Sequence, residues 1–257
     1  MASSTKFLTS VRGRKSDKET SEFVSIILLC DKSGKRMKSY GPTPLIEVKG
    51  KKIIDLQISA IKSVFKSFEL IISAGFESEK IVKYVRRELP RSVNVRVVEN
   101  QMFHHSNCCE SVRLCLNNIC NDRVLILSGD LLFHPIALSS VIRSRGSILY
   151  QNSDIANNLE VGAIHSEKSL IGLNYGIDNK VWSEISFFRG SETIECLRGI
   201  ISSVDYKNRL LFEAINSMVD HKKKIDAIYN DGPESIKINN IKTLKRVNTY
   251  ENVNTKL

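Results

Sequence analysis

SIILLCDKSGKRMKSYGPTPLIEVKGKKIIDLQ (25–57) decides the architecture. With the two residues before it, its opening reads FVSIILL (23–29), an apolar run rich in branched side chains. Such a run predicts a strand buried on both faces, as in a parallel sheet. At Asp31 the character turns to loop, with Gly34 among Lys32, Lys35, Arg36 and Lys38. Glycine lets backbone N–H groups approach an anion closely, and a row of N–H groups can cradle one. Pro42 and Pro44 then mark a turn, and IIDLQISAIKSVF (53–65) places Ile54, Ile58, Ile61 and Phe65 at the spacing of an amphipathic helix. Strand, cationic loop, turn and helix in that order form one α/β unit with a candidate phosphate seat inside it.

The pattern repeats outward. ELIIS (69–73) is a second short apolar strand, stopped by Ala74-Gly75. SEKIVKYVRREL (78–89) predicts a helix with Ser78 as its cap and Pro90 as its stop. VNVRVV (93–98) alternates as a strand, 107–119 fits a helix, and RVLILS (123–128) is a further buried strand ending in Gly129-Asp130. Alternation of this kind implies right-handed βαβ crossovers. After Ser147 it stops. SILYQ (147–151), LEVGAI (159–164), 170–175 and 181–188 read as strands separated by turn residues, an antiparallel extension. Helices return at 191–202 and 208–221, and a short strand (235–238) and a helix (241–247) close the pattern.

Composition narrows the ligand class. With 42% hydrophobic and 26% charged residues, the chain sits in the ordinary globular range. No apolar run reaches the ~18 residues of a membrane span, and residues 1–22 lack the apolar core of a secretory signal. They read as a flexible basic arm, followed by one domain over 23–257. The six cysteines form no CxxC pair, which predicts reduced thiols in the cytoplasm, with Cys30 and Cys115 filling core space. A net charge of +10 favours anionic partners. No RNA-binding sheet motif, helix-turn-helix signature or arginine-rich run singles out specific nucleic acid. A homo-oligomer is left open.

Several stretches in order carry a resemblance: LLCDKSGKRM (28–37), PTPLIEVKGKKIID (42–55), IISAGFESEKI (71–81), VRVVENQMFHHSNCCESVRLC (95–115) and VLILSGDLLF (124–133). FEAIN (212–216) and SIKINNIKTLKRV (235–247) follow more weakly. Together they resemble the sugar-phosphate nucleotidyltransferases, nearest to choline-phosphate cytidylyltransferase-like members. The resemblance implies a three-layer GT-A-like Rossmann fold with a mostly parallel central sheet and a small antiparallel extension. It implies a nucleotide-binding half at about 23–146 and an acceptor-binding half at about 147–247. It also implies a reaction, in which a small phosphorylated acceptor attacks the α-phosphorus of a nucleoside triphosphate and pyrophosphate leaves.

Transferred onto this chain, the resemblance assigns Leu29, Cys30, Lys32, Ser33, Gly34 and Lys35 to the triphosphate loop, and Asn107 and Ser111 to base or ribose. It assigns Glu213 to the acceptor, Arg36 and Asp130 to catalysis, and Asp130 with Asn239 to Mg²⁺. Asp130 is suggestive on its own terms, because a carboxylate just past a buried strand end can hold a hard cation beside phosphates. The departures fall on the same site. The family loop reads L-A-A-G-x-G-x-R-M; here its first glycine is Lys32 and an alanine is Asp31. The lysine before Pro-Leu is Thr43, and the late E-I-D is Lys237-Ile238-Asn239. These changes keep two alternatives in view: a catalytically inactive nucleotide-binding or scaffolding relative, and a GT-A glycosyltransferase using a nucleotide sugar. The lone Gly-Asp counts against the latter, which wants a carboxylate pair to grip a diphosphate.

Overall fold

The computed structural model describes residues 22–32, 37–90, 92–152, 160–177 and 179–249. The basic arm (1–21) and four residues of the cationic loop, Ser33, Gly34, Lys35 and Arg36, lie outside them.

Strand β1 (Val24–Cys30) is buried except for Leu29, which is half-buried. It turns Val24, Ile26, Leu28 and Cys30 to one face of the sheet and Ile27 to the other. That two-sided burial is why its sequence is continuously apolar rather than alternating. The chain then runs through a hairpin, β2 (Glu47–Val48) and β3 (Lys51–Lys52), whose turn residues Lys49 and Gly50 both have positive φ. It continues through α1 (Ile53–Val64), β4 (Phe68–Ala74), α2 (Ser78–Glu88), β5 (Asn94–Glu99), α3 (Cys108–Leu116) and β6 (Arg123–Ser128). Strands β5, β4, β1 and β6 lie side by side in that order, all parallel. Helices α1 and α2 pack on the Ile26 face and α3 on the Ile27 face.

The rest of the chain comprises β7 (Leu131–Leu132), α4 (Pro135–Val141), β8 (Gly146–Gln151), β9 (Val161–Ser166), β10 (Ser169–Tyr175) and β11 (Val181–Arg189). Then come α5 (Ser191–Ser202), α6 (Leu211–Asp220), β12 (Asp226–Tyr229), β13 (Ile236–Lys237) and α7 (Ile241–Thr249). Strand β11 inserts antiparallel between β6 and β8, and β12, β10 and β9 complete a nine-stranded sheet. Beyond β6 only β12 and β8 are parallel. Strand β9 returns to pair with β11 at Gly162 and Val181, which closes the second half on itself. The fold is mixed α/β. The expectation of a mostly parallel sheet holds for its first four strands; the antiparallel part, expected to be small, supplies five strands and a closed turn of sheet.

Two local expectations are corrected. Ser78 is not the cap of α2: Glu77, at φ 48°, occupies that position, and the Ser78 hydroxyl donates to Glu99 Oε1 at 2.5 Å. The expected helix at 107–119 stops at Leu116. No helix among the described residues is long and apolar enough to cross a membrane. All six cysteines are free, with Cys30 and Cys115 in the core as expected.

A buried carboxylate ties the amino ends of the parallel strands together. Glu69 on β4 accepts from the Ser25 hydroxyl at 2.5 Å and from the Cys120 N–H at 2.6 Å, and pairs with Arg96 at 2.8 Å. Burial pushes its carboxyl up, but those hydrogen bonds and the Arg96 guanidinium outweigh that and hold it below its ordinary value. A depressed carboxyl contributes stability above its unfolded value of about 4.3 and loses it as pH falls through the folded value. The Glu69→Gln variant should therefore be less stable at neutral pH by roughly 1–3 kcal/mol, the range for a disrupted buried hydrogen-bond set. Its urea midpoint should converge on that of the parent chain as pH falls through the acid range. A difference that stays constant with pH would contradict the assignment.

Candidate functional site

Strands β1 and β6 are parallel neighbours in register, Leu29 beside Ser128, so their carboxyl ends open at one point. Two glycines make that point tight. A Cβ on Gly129 would lie 2.6 Å from Leu29 O and 2.7 Å from Cys30 Sγ, and one on Gly75 would lie 2.7 Å from Asp31 O. In place of that clash, the Gly129 N–H donates to Leu29 O at 2.8 Å. Open parallel sheets bind ligands beyond such strand ends.

Four elements deliver side chains to this cleft. From β1 come Asp31 and Lys32. Asp31 is buried, with Oδ1 accepting from the Ser73 hydroxyl at 3.1 Å and Oδ2 lacking a hydrogen-bond partner among the described residues. Lys32 is exposed and its ammonium donates to Asn107 Oδ1. Asn107 caps α3, the same oxygen accepting from the Cys108 N–H at 3.0 Å. Lys32 and Asn107, both expected at the nucleotide, are thus brought together across the mouth of the cleft.

From β6 comes Asp130, whose Oδ1 accepts from the Ser128 hydroxyl at 2.7 Å. Its backbone oxygen accepts from the Ile238 N–H at 2.7 Å, part of the pairing between β7 and β13 that sets residues 237–239 beside it. From β13, Lys237 pairs its ammonium with Glu184 Oε1. Glu184 reaches the cleft from a bulge of β11, where the register shifts between Trp182 and Ser186 and its own φ is +54°. A left-handed backbone on a residue with a Cβ costs of order 1–3 kcal/mol, and bulges re-aim side chains next to functional sites. Burial pulls the Lys237 ammonium down, but the Asp130 and Glu184 carboxylates more than reverse it and hold it well above its ordinary value. Burial pushes the Asp130 carboxyl up, with Lys237 opposing. Burial also pushes the nearby Cys108 thiol up to about 12, so it stays protonated at neutral pH.

The other expected residues behave as support. Ser111 is fully buried and its hydroxyl accepts from the Asn100 amide at 2.9 Å. That amide also reaches Ser106 at 3.0 Å, pinning the loop between β5 and α3. Leu29 contributes its carbonyl to Gly129, and Cys30 is core. Glu213, expected at the acceptor, pairs Oε1 with Arg209 at 2.7 Å and accepts at Oε2 from the Leu210 N–H at 2.8 Å, at the start of α6. Thr43 is buried in the turn before α1, so it cannot extend a charge as a lysine would. His104 and His105 are exposed, as a loop reading requires. Glu184 and Lys237 were missed as cleft residues. Glu184 interrupts an aromatic-rich strand without any sequence sign of a bulge, and Lys237 stands where the resemblance led one to look for an acid.

The Mg²⁺ that the resemblance implies meets an ill-suited donor set. Asn239 is exposed and its oxygen accepts from the Asn240 amide at 2.7 Å. The two carboxylates, Asp130 and Glu184, already face an ammonium. No group of three His, Cys, Asp or Glu side chains gathers into a metal site among the described residues. These residues do not fit a preformed divalent site.

Across 88% of its length the chain matches the CTP:phosphocholine cytidylyltransferase of Streptococcus pneumoniae, at TM-score 0.73 and 16% identity, covering 97% of that chain. It carries the nucleotidyltransferase fold. The inositol-1-phosphate CTP transferase of T. maritima matches over 87% of this chain and 94% of its own, at TM-score 0.69 and 18% identity. A putative glucose-1-phosphate thymidylyltransferase from Bacillus anthracis, in complex with a sucrose, matches over 88% and 94%, at TM-score 0.70 and 13% identity. At such identities the likeness is one of fold. No protein-family model matches the chain, and no curated protein matches it. A fold whose strands β1 and β6 converge at Gly129 has no slack there. Gly129→Ala should destabilise the chain by about 1–3 kcal/mol, as overpacking does, read as a lower urea midpoint with an unchanged slope; an unchanged midpoint would contradict the close approach.

Proposed function

We propose that this chain transfers a nucleotidyl group from a nucleoside triphosphate to a small phosphorylated acceptor. One observation carries the reading: the carboxyl ends of β1 and β6 lie side by side, with Lys32 just past the first and Asp130, near Lys237, just past the second. The three structural neighbours support it, since their names place phosphocholine, inositol-1-phosphate and glucose-1-phosphate with nucleotidyl donors. In the proposed GT-A-like layout, the half before about residue 147 holds the nucleotide and the later half, with its closed turn of sheet, holds the acceptor. Six free thiols are consistent with a cytoplasmic setting.

In the proposed reaction an acceptor phosphate oxygen attacks the α-phosphorus. The bond from that phosphorus to the bridging oxygen breaks, and pyrophosphate leaves with the electron pair. Little covalent chemistry falls to the protein. Its work is to align attacking and leaving oxygens and to balance charge. Lys32 would meet the triphosphate at the end of β1; Ser33, Gly34, Lys35 and Arg36, the other nucleotide-loop candidates, lie outside the described residues. Asn107 would hold the Lys32 ammonium in place, and Asp130 would set the charge balance at the reacting end.

A second reading, an inactive nucleotide-binding relative, draws on the buried Asp31 carboxylate, which stands at the end of β1 where the family has an alanine. The test is pyrophosphate release from each of the four ribonucleoside triphosphates with phosphocholine, glucose-1-phosphate or inositol-1-phosphate. We expect release with at least one pair, falling at least 100-fold in Asp130→Ala. Binding without release favours the inactive relative, and neither binding nor release contradicts both readings.

A further inference from the structure

Lys237 occupies the place in the cleft where a divalent metal would be expected. Its neighbours on one side are Asp130, beside which the β7–β13 pairing sets it, with Lys237 opposite Leu131. On the other is Glu184, projected from the strained bulge of β11 and paired with the ammonium. Glu184 pairs with the ammonium directly, and Asp130 acts on it as a nearby negative charge without a direct ion pair, so the ammonium stands where two carboxylates from separate elements both bear on it. Here the chain provides that cation itself, on a strand anchored by the Ile238 N–H to Asp130 O contact at 2.7 Å. The side chain is not sealed away: 37% of it is exposed.

We infer that Lys237 is the resident cation of this cleft, taking the position of a divalent metal between Asp130 and Glu184 and meeting the phosphates of a metal-free nucleoside triphosphate. This rests on the nucleotide reading proposed above. A fixed ammonium carries one charge and three donors, where a divalent ion carries two charges and demands an oxygen shell. It needs neither metal supply nor the dehydration of Mg²⁺. It also excludes a metal by occupying the gap and by neutralising one of the two carboxylate charges that would attract it.

Two measurements test this. In the first, Mn²⁺ is titrated into nucleotide-free protein and bound metal is read by electron paramagnetic resonance. The parent chain should bind none at the site. Lys237→Ala, which frees both carboxylates, should gain a site, and Lys237→Ala/Asp130→Ala should lose it. Circular dichroism melts confirm that each variant is folded, and if Lys237→Ala is not, Lys237→Gln, which keeps the stem and removes the charge, takes its place. In the second, each triphosphate is titrated calorimetrically in EDTA and in excess Mg²⁺. The parent affinity should agree within threefold between the two conditions. That of the Lys237 variant should fall at least tenfold in EDTA and recover with Mg²⁺. Mn²⁺ bound by the parent chain, or triphosphate binding that requires Mg²⁺, overturns the inference while leaving the nucleotide reading intact. If no triphosphate binds in either condition, the nucleotide reading and the phosphate contact fall together, and the Mn²⁺ titration alone decides what holds the gap.

Discussion

The site depends on how closely two strand ends approach one another. Strands β1 and β6 leave the sheet side by side, and the Gly129 N–H reaches back to Leu29 O in a space too small for a Cβ. That contact sets Asp130, just past β6, close to the end of β1, where Lys32 follows. A second tight point, where Gly75 passes Asp31 O, brings the exit of β4 onto the same loop. Backbone packing, more than any single side chain, therefore creates a place where an anionic ligand can be met from several directions.

Charge then defines what kind of place it is. The cleft holds two ammonium groups and three carboxylates among the described residues: Lys32 and Lys237 with Asp31, Asp130 and Glu184. Each lysine is held by a partner rather than left free, Lys32 by Asn107 and Lys237 by Glu184. A cationic side chain held in place loses less conformational freedom when a phosphate arrives, so its charge acts more effectively than that of a free lysine. The strain at Glu184 has the same sense, since the surrounding strand pays to keep one carboxylate pointed at the ammonium.

Much of the parallel half was legible in the sequence because its signals are local. A strand buried on both faces is continuously apolar, and an amphipathic helix has its own period, so β1, α1, β4, α2, β5 and β6 emerge within a residue or two of their ends. The antiparallel half was less legible. Nothing local states that β11 enters between β6 and β8, that β9 comes back to β11, or that β12 exists; those pairings join residues far apart in the chain. At the site, Asp130, Lys32 and Asn107 were expected from strand ends and the resemblance, and the structure sets Lys32 against Asn107. For Ser111 and Glu213, sequence does not show which hydrogen-bonding partners a side chain has: Asn100 for one, Arg209 and the Leu210 N–H for the other. Lys237 and Glu184 come together only through the β7–β13 pairing and a bulge, neither of which has a sequence signature.

The most direct measurement is a crystal structure of the chain grown with cytidine triphosphate and without divalent metal. The account requires the phosphates to lie at the carboxyl ends of β1 and β6, with Lys237 Nζ within hydrogen-bonding distance of a phosphate oxygen. A triphosphate bound elsewhere, or one seated in the cleft with Lys237 turned away from it, would contradict the account.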